Sequence, residues 1–268
     1  MRKKVIVYNG GLGNQLFQFS YMYYLKKIEK KEVEYNISLY DKYKIHSGFQ
    51  ADKIFDFSGF SKNTYDYNLR YSVNKKLEGV FNKSILFNSE GKENNNKPLI
   101  GYWQDVFFYK MIKHDLTKLI LDLDKYCSDE ALKKKIELND SVFIHIRRGD
   151  YCNNSMYYDL SQTDYYFKAI EMMQMSLANP RFYVFSDDIN WSKKYFEAYL
   201  NFCYVEYDNQ SALGDLSLML HCKNAIIANS SFSWWGAALD SKNIVIHPDR
   251  YYTKKECHNL YDAEWIGI

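Results

Sequence analysis

From residue 141 onward, short apolar runs alternate with stretches of helical period, and few folds accept that pattern. The runs are Ser141 to Ile146, Phe182 to Phe185, Cys203 to Tyr207, Ala225 to Ala228 and Ile244 to His247. Between them, 164–177 carries Tyr166, Ile170, Met173 and Leu177 on one helical face and stops at Asn179-Pro180. Helices are also expected over 191–200, 211–222 and 233–239. Apolar runs without polar alternation fit strands covered on both faces, as in a parallel sheet. The expectation is an α/β fold whose ligands bind at the carboxyl ends of the strands.

The amino-terminal segment repeats the theme. Val5 to Tyr8 reads as a strand ending in the turn Asn9-Gly10-Gly11-Leu12-Gly13-Asn14. A helix should follow, with Phe17, Tyr21, Tyr24, Leu25 and Ile28 on one face. The third glycine of a dinucleotide fingerprint is missing, since Phe17 and Gln18 occupy that region. The backbone of Gly11 and the amides of Asn14 and Gln15 suit sugar hydroxyls instead. Residues 33–100 show weak periodicity, with a polar loop from Gly91 to Pro98. Ser128 is expected to cap a helix running through Ile136, with Asp129 and Glu130 in its first turn. Two domains are expected, 1–138 and 139–268.

Composition removes several classes. A net charge of +2 gives no global field for nucleic acid. The five cysteines are odd in number and none has C-x-x-C spacing, which argues against a zinc site or disulfide framework and suits a reducing compartment. No stretch is long and apolar enough to span a membrane. A cytoplasmic location is expected, with loose association with the inner face of the membrane left open. Aromatic residues make up 18% of the chain, enough either to fill a core or to stack on sugars.

Three motifs follow strands. His145-Ile146-Arg147-Arg148-Gly149-Asp150-Tyr151 places two guanidinium forks where a diphosphate can be gripped bidentately. An ion pair with Asp150 would use the same residues. In Phe185-Ser186-Asp187-Asp188 a carboxylate can accept from the N1–H and exocyclic amine of guanine, or cap the next helix. Ser230-Ser231-Phe232-Ser233 opens a helix whose first N–H groups suit an anion, or simply supplies a serine cap. Asp215 reads as structural. Asp122-Leu123-Asp124 has a metal-binding form too short to be specific, and His114 and Asp115 read as surface residues.

Together, Gly10 to Gln18, His145 to Tyr151, Phe185 to Asp188 with Trp191, and Asp215 to Leu239 resemble the α-1,2-fucosyltransferase family, in order along nearly the whole chain. The resemblance implies a GT-B fold, two Rossmann-like domains facing across a cleft, with GDP-fucose held by the second domain and the acceptor side supplied largely by the first. It implies inverting transfer of L-fucose to the 2-hydroxyl of a terminal galactoside, with neither metal nor cofactor. Arg147 would bind the β-phosphate, His145 would lie beside the nucleotide, Asp187 or Asp188 would read guanine, and Ser231 to Ser233 would hold phosphate. Arg148 would assist, and Asp150 is a candidate base. Ala238, Asp240 and the segment Cys152 to Ser155 depart from the family pattern.

Overall fold

The computed structural model describes residues 3–42, 47–89, 97–152, 154–199, 201–254 and 259–268. Most of the expected 91–98 loop, Asn153, Leu200 and Cys257 lie outside the described residues. The chain divides into two compact units, Met1–Leu121 and Asp122–Ile268.

In the first unit, β1 (Lys4–Val7), β2 (Val33–Asn36) and β3 (Ser61–Lys62) form a parallel three-stranded sheet. The helices are α1 (Leu12–Lys27), α2 (Leu39–Lys42), α3 (Asn68–Phe81) and α4 (Val106–Leu119). The expectation of a single buried face on α1 is corrected. Every residue from Gln15 to Met22 is buried, while Ile28 is exposed. The polar members of that helix are accommodated because each finds a partner. Ser20 donates to the Leu16 carbonyl, and Gln18 donates to Asn9 Oδ1 and to the Gly101 carbonyl. Aromatic rings fill the space around it: Phe19 stacks on Phe55 at 4.3 Å and Tyr21 on Trp103 at 4.4 Å.

The second unit begins with α5 (Glu130–Leu138) and continues β4 (Asp140–Ile146), α6 (Tyr165–Ser176), β5 (Pro180–Ser186), α7 (Ile189–Tyr195), β6 (Phe202–Tyr204), α8 (Ala212–His221), β7 (Asn224–Ile226), α9 (Ser231–Ala238), β8 (Val245–His247) and β9 (Ile266–Gly267). All six strands are parallel, in the order β6-β5-β4-β7-β8-β9. The chain thus steps outward from β4 in one direction, then returns to its other side. This is the Rossmann order, and the reversal between β4 and β7 is where such sheets open a crevice for ligands. One face packs Val142, Ile144, Val184 and Ile226 against α6. The other carries Phe143 towards α8 and α9, where Gly236 lets α9 come close.

The expected alternation is present, with shifted ends. Pro180 opens β5 instead of only stopping a helix. The strand expected to reach Tyr207 ends at Tyr204, and β9 was not expected. Asp129, not Ser128, caps α5, accepting from the Leu132 N–H at 2.8 Å, while Ser128 Oγ donates to the Asp208 carbonyl. The unit division falls before the expected 138/139 boundary, because α5 packs on β4 and α8 of the second unit.

A Cβ at Gly236 would stand 2.9 Å from Met219 Sδ and 3.3 Å from Met219 Cβ. Gly236→Val should therefore lower stability by about 1–3 kcal/mol, the usual range for overpacking. Urea unfolding checks this; an unchanged midpoint would contradict the close α8–α9 packing.

Candidate active site

The carboxyl ends of β4 and β5 carry the charged cluster. His145 is the penultimate residue of β4 and is paired in register with Phe185. By strand alternation it points to the α8–α9 side of the sheet, and its ring lies 5.6 Å from that of Phe232 in the first turn of α9. It is 5% exposed, and its Nδ1 has no hydrogen-bond partner among the described residues. Burial, with the nearby Arg147 charge adding to it, pushes its pKa down to about 3. The imidazole is therefore neutral, with one ring nitrogen unused beside the topological switch point.

Arg147 sits at the centre of an ion cluster. Its Nε and one terminal nitrogen bond Asp150 Oδ1 at 3.1 and 2.6 Å, and the other terminal nitrogen meets Asp187 Oδ2 at 3.0 Å. Burial opposes the guanidinium charge, yet the two carboxylates outweigh it and hold the pKa above its ordinary value. Asp187 also accepts from the Arg148 backbone N–H at 2.8 Å. Gly149 makes this approach possible, since a Cβ there would stand 2.6 Å from Asp187 Oδ2. The competing possibility for Asp150, an ion pair with Arg147, is thus what forms.

Arg148 is braced on three sides. It lies 3.8 Å over the Trp191 ring and makes long contacts of 3.4 Å to Asp188 Oδ2 and Ser161 Oγ. Asp188 is the cap of α7, accepting from the Trp191 N–H at 3.2 Å. Of the two aspartates, Asp187 has both oxygens engaged at 2.8–3.0 Å, whereas among the described residues Asp188 Oδ2 has only the long Arg148 contact.

Ser230 caps α9, accepting from the Phe232 N–H at 3.3 Å. Ser233 is fully buried and donates to the carbonyls of Ala228 and Ser230. Its hydroxyl faces the protein, so an anion here would meet the N–H groups of the turn. Ser231 and Phe232 are half-buried.

In the first unit, Gly10 adopts φ +83°, and a Cβ there would meet Asn14 and Tyr102 at 2.9 Å. Gly11 is the cap position of α1, and Asn14 Oδ1 accepts from Gln104 at 2.7 Å. Gln15 is committed to protein: its amide nitrogen donates to the Gly10 and Gly48 carbonyls, and its oxygen accepts from the N–H groups of Gln50 and Ala51.

Two residues read otherwise from sequence gain definition. Asp124 bonds Lys133 at 2.6 Å and His221 at 2.8 Å, and Lys133 first among these holds its pKa down to about 2. Asp215, in the first turn of α8, has only neutral donors, Tyr207 at 2.9 Å and Gln210 at 3.0 Å, and burial pushes its pKa up to about 6. Neither environment is visible in a one-dimensional pattern, because the partners are distant in sequence or lie in a loop.

The family model "Glycosyl transferase family 11" matches residues 2–268. An Escherichia coli alpha-1,2-colitosyltransferase is 30% identical, over 97% of this chain and 96% of that protein. A Caenorhabditis elegans galactoside 2-alpha-L-fucosyltransferase is 28% identical over 50% of this chain and 40% of its own length. Among solved structures, the fucosyltransferase NodZ from Bradyrhizobium aligns with a TM-score of 0.54 at 11% identity, covering 89% of this chain and 92% of that one. That likeness establishes the fold, GT-B with two Rossmann-like units.

The neutral state of His145 has a consequence for stability. The unfolded chain takes up this proton near the ordinary value of 6.5, the folded chain only near 3. Unfolded molecules bind more protons in that window, so stability falls as pH drops from 6.5 towards 3. His145→Gln should flatten the dependence by up to about 1.4 kcal/mol per pH unit. Parallel slopes for the two proteins in urea titrations at several pH values would contradict the buried, neutral assignment.

Proposed function

We propose that this chain, which belongs to glycosyl transferase family 11, transfers a 6-deoxyhexose from its GDP-sugar to the 2-hydroxyl of a terminal galactoside, with inversion and without a metal. The observation that carries the reading is the meeting of β4 and α9 at the strand-order reversal. His145 touches Phe232, and Arg147 stands two residues beyond His145. In this reading the guanidinium beyond β4 and the start of α9 serve one nucleotide pyrophosphate.

Inverting transfer needs in-line attack by the acceptor hydroxyl while GDP departs from the opposite side. Negative charge grows on the leaving diphosphate. Arg147 answers it with a fixed positive fork, and the N–H groups at Ser231 to Ser233 answer it with the positive end of α9. The second charge, Arg148, is held by Asp188 and Trp191 and supports the loop. Asp150 and Asp187 orient the Arg147 fork before substrate arrives. If Asp150 also takes the acceptor proton, it must first release Arg147.

For the base, Asp188 Oδ2 is the better placed of the two expected aspartates to accept from the guanine N1–H and amine. Asp215 is a rival of the same chemistry, a buried carboxylate with neutral partners. Asp188→Asn and Asp215→Asn separate them: the variant at the reading residue should lose preference for GDP over UDP in thermal-shift titrations, and the other should keep it. Gly11 and Asn14 lie on the acceptor side in this reading, whereas Gln15 holds their loop in place.

The donor sugar is fucose in the leading reading. The 30% identity to a colitosyltransferase favours a second one, colitose, which is fucose lacking its 3-hydroxyl. Transfer from GDP-fucose and GDP-colitose to a galactoside panel, with linkage analysis, decides between them. Arg147→Ala should reduce turnover about a hundredfold or more, the usual loss on removing a leaving-group donor, while the protein stays folded. A near-normal rate in that variant would contradict the assignment, as would loss of wild-type activity in EDTA.

A further inference from the structure

Helix α3 mixes polar and apolar residues on its inward face. Tyr71 packs on the core cluster beside Phe87 and Leu77 is half-buried, while Asn74 is 1% exposed and binds Glu78, Ser84 and the N–H groups of Ile85 and Leu86. Arg70 donates to the Leu86 carbonyl and lies over the Phe87 ring. Four further apolar residues are exposed. Leu69 is 76% exposed, Val73 40%, Val80 72% and Phe81 56%. At 100° per residue Leu69, Val73 and Val80 fall within one narrow stripe, and Lys76 projects from the same side.

Scattered exposed apolar residues need no explanation, but apolar residues aligned on one helix face with a lysine among them have the composition of a contact surface. The charges beside it indicate the contact. Residues 62–83 contain the cations Lys62, Arg70, Lys75, Lys76 and Lys83 against the carboxylates Asp66 and Glu78, the latter bridged to Lys75 at 2.8 Å. A groove of about 200 Å³ borders the first turn of the helix, lined by Lys3, Lys4, Val5, Arg70, Lys97 and Pro98; Lys3 is paired with Glu34, and Arg70 and Lys97 donate to the Leu86 and Ile85 carbonyls. An apolar stripe flanked by lysines, with a basic groove alongside, fits a helix lying in the plane of an anionic lipid surface. The side chains of the stripe would enter the acyl boundary, and the exposed Lys62, Lys76 and Lys83 would meet phosphate head groups.

We propose that the outer face of α3 docks this protein on anionic lipid bilayers. The proposal is independent of the donor and acceptor assignments, since none of these residues belongs to the charged cluster of the second unit. The test is co-sedimentation of the full chain with vesicles of phosphatidylcholine alone and of phosphatidylcholine with phosphatidylglycerol. The expected result is binding to the anionic vesicles only, weakened by raised salt and by at least about tenfold in the doubly substituted Leu69→Glu/Val80→Glu protein. Both proteins should show the same far-UV circular dichroism and cooperative thermal unfolding, which certifies that the variant is folded. The proposal is overturned if the wild-type chain ignores anionic vesicles or if the variant binds them equally well. It is also overturned if the stripe proves to join two copies of the chain, seen as a dimer in analytical ultracentrifugation that the variant abolishes.

Discussion

The carboxylate of Asp187 ties the ends of two neighbouring strands together. It accepts from the Arg148 backbone N–H and pairs with the Arg147 guanidinium, while the missing side chain at Gly149 gives it room. Because β4 and β5 are in register from Asp140 opposite Pro180 to Ile146 opposite Ser186, the loops beyond them start from fixed positions. The clamp converts that register into a defined orientation for Arg147. Asp150 holds the other edge of the same fork. A cation fixed before substrate binding does not have to reorganise during the reaction, and this is where electrostatic catalysis gains most.

The second half of the site depends on topology. The order β6-β5-β4-β7-β8-β9 leaves a gap in helix coverage beyond β4 and β7, and α9 starts there. Gly236 against Met219 lets α9 approach the sheet closely enough for Phe232 to meet His145. Burial keeps His145 uncharged, so it adds no charge beside Arg147. In the proposed reading, attraction for a diphosphate comes from the guanidinium and the helix start together.

Much of the second unit was legible because its signals are local. Apolar strands, a proline at 180 and aspartate or serine caps all act within a few residues, and helix and strand types followed from them. The first unit was less so. Its sheet has one strand of only two residues, β3, and α1 is buried on nearly all sides, which erases amphipathic periodicity. Helix α3 buries Asn74 beside Tyr71 and leaves Val80 outside, so weak periodicity there had a structural cause. At the site, sequence identified the charged residues but not their division of labour. That Gln15 is consumed by backbone partners, that Ser233 faces inward and that Asp187 is a clamp depend on contacts across tens of residues. Asp215 reads as structural from sequence, and only the fold shows it enclosed by Tyr207 and Gln210, with burial lifting its pKa to about 6.

The central claim is that Arg147 and the first turn of α9 jointly hold the pyrophosphate of the departing nucleotide. A crystal structure of the protein with GDP tests it most directly. The account predicts β-phosphate oxygens within about 3 Å of the Arg147 guanidinium and of an N–H at Ser231 to Ser233. A pyrophosphate seated away from both groups would contradict it.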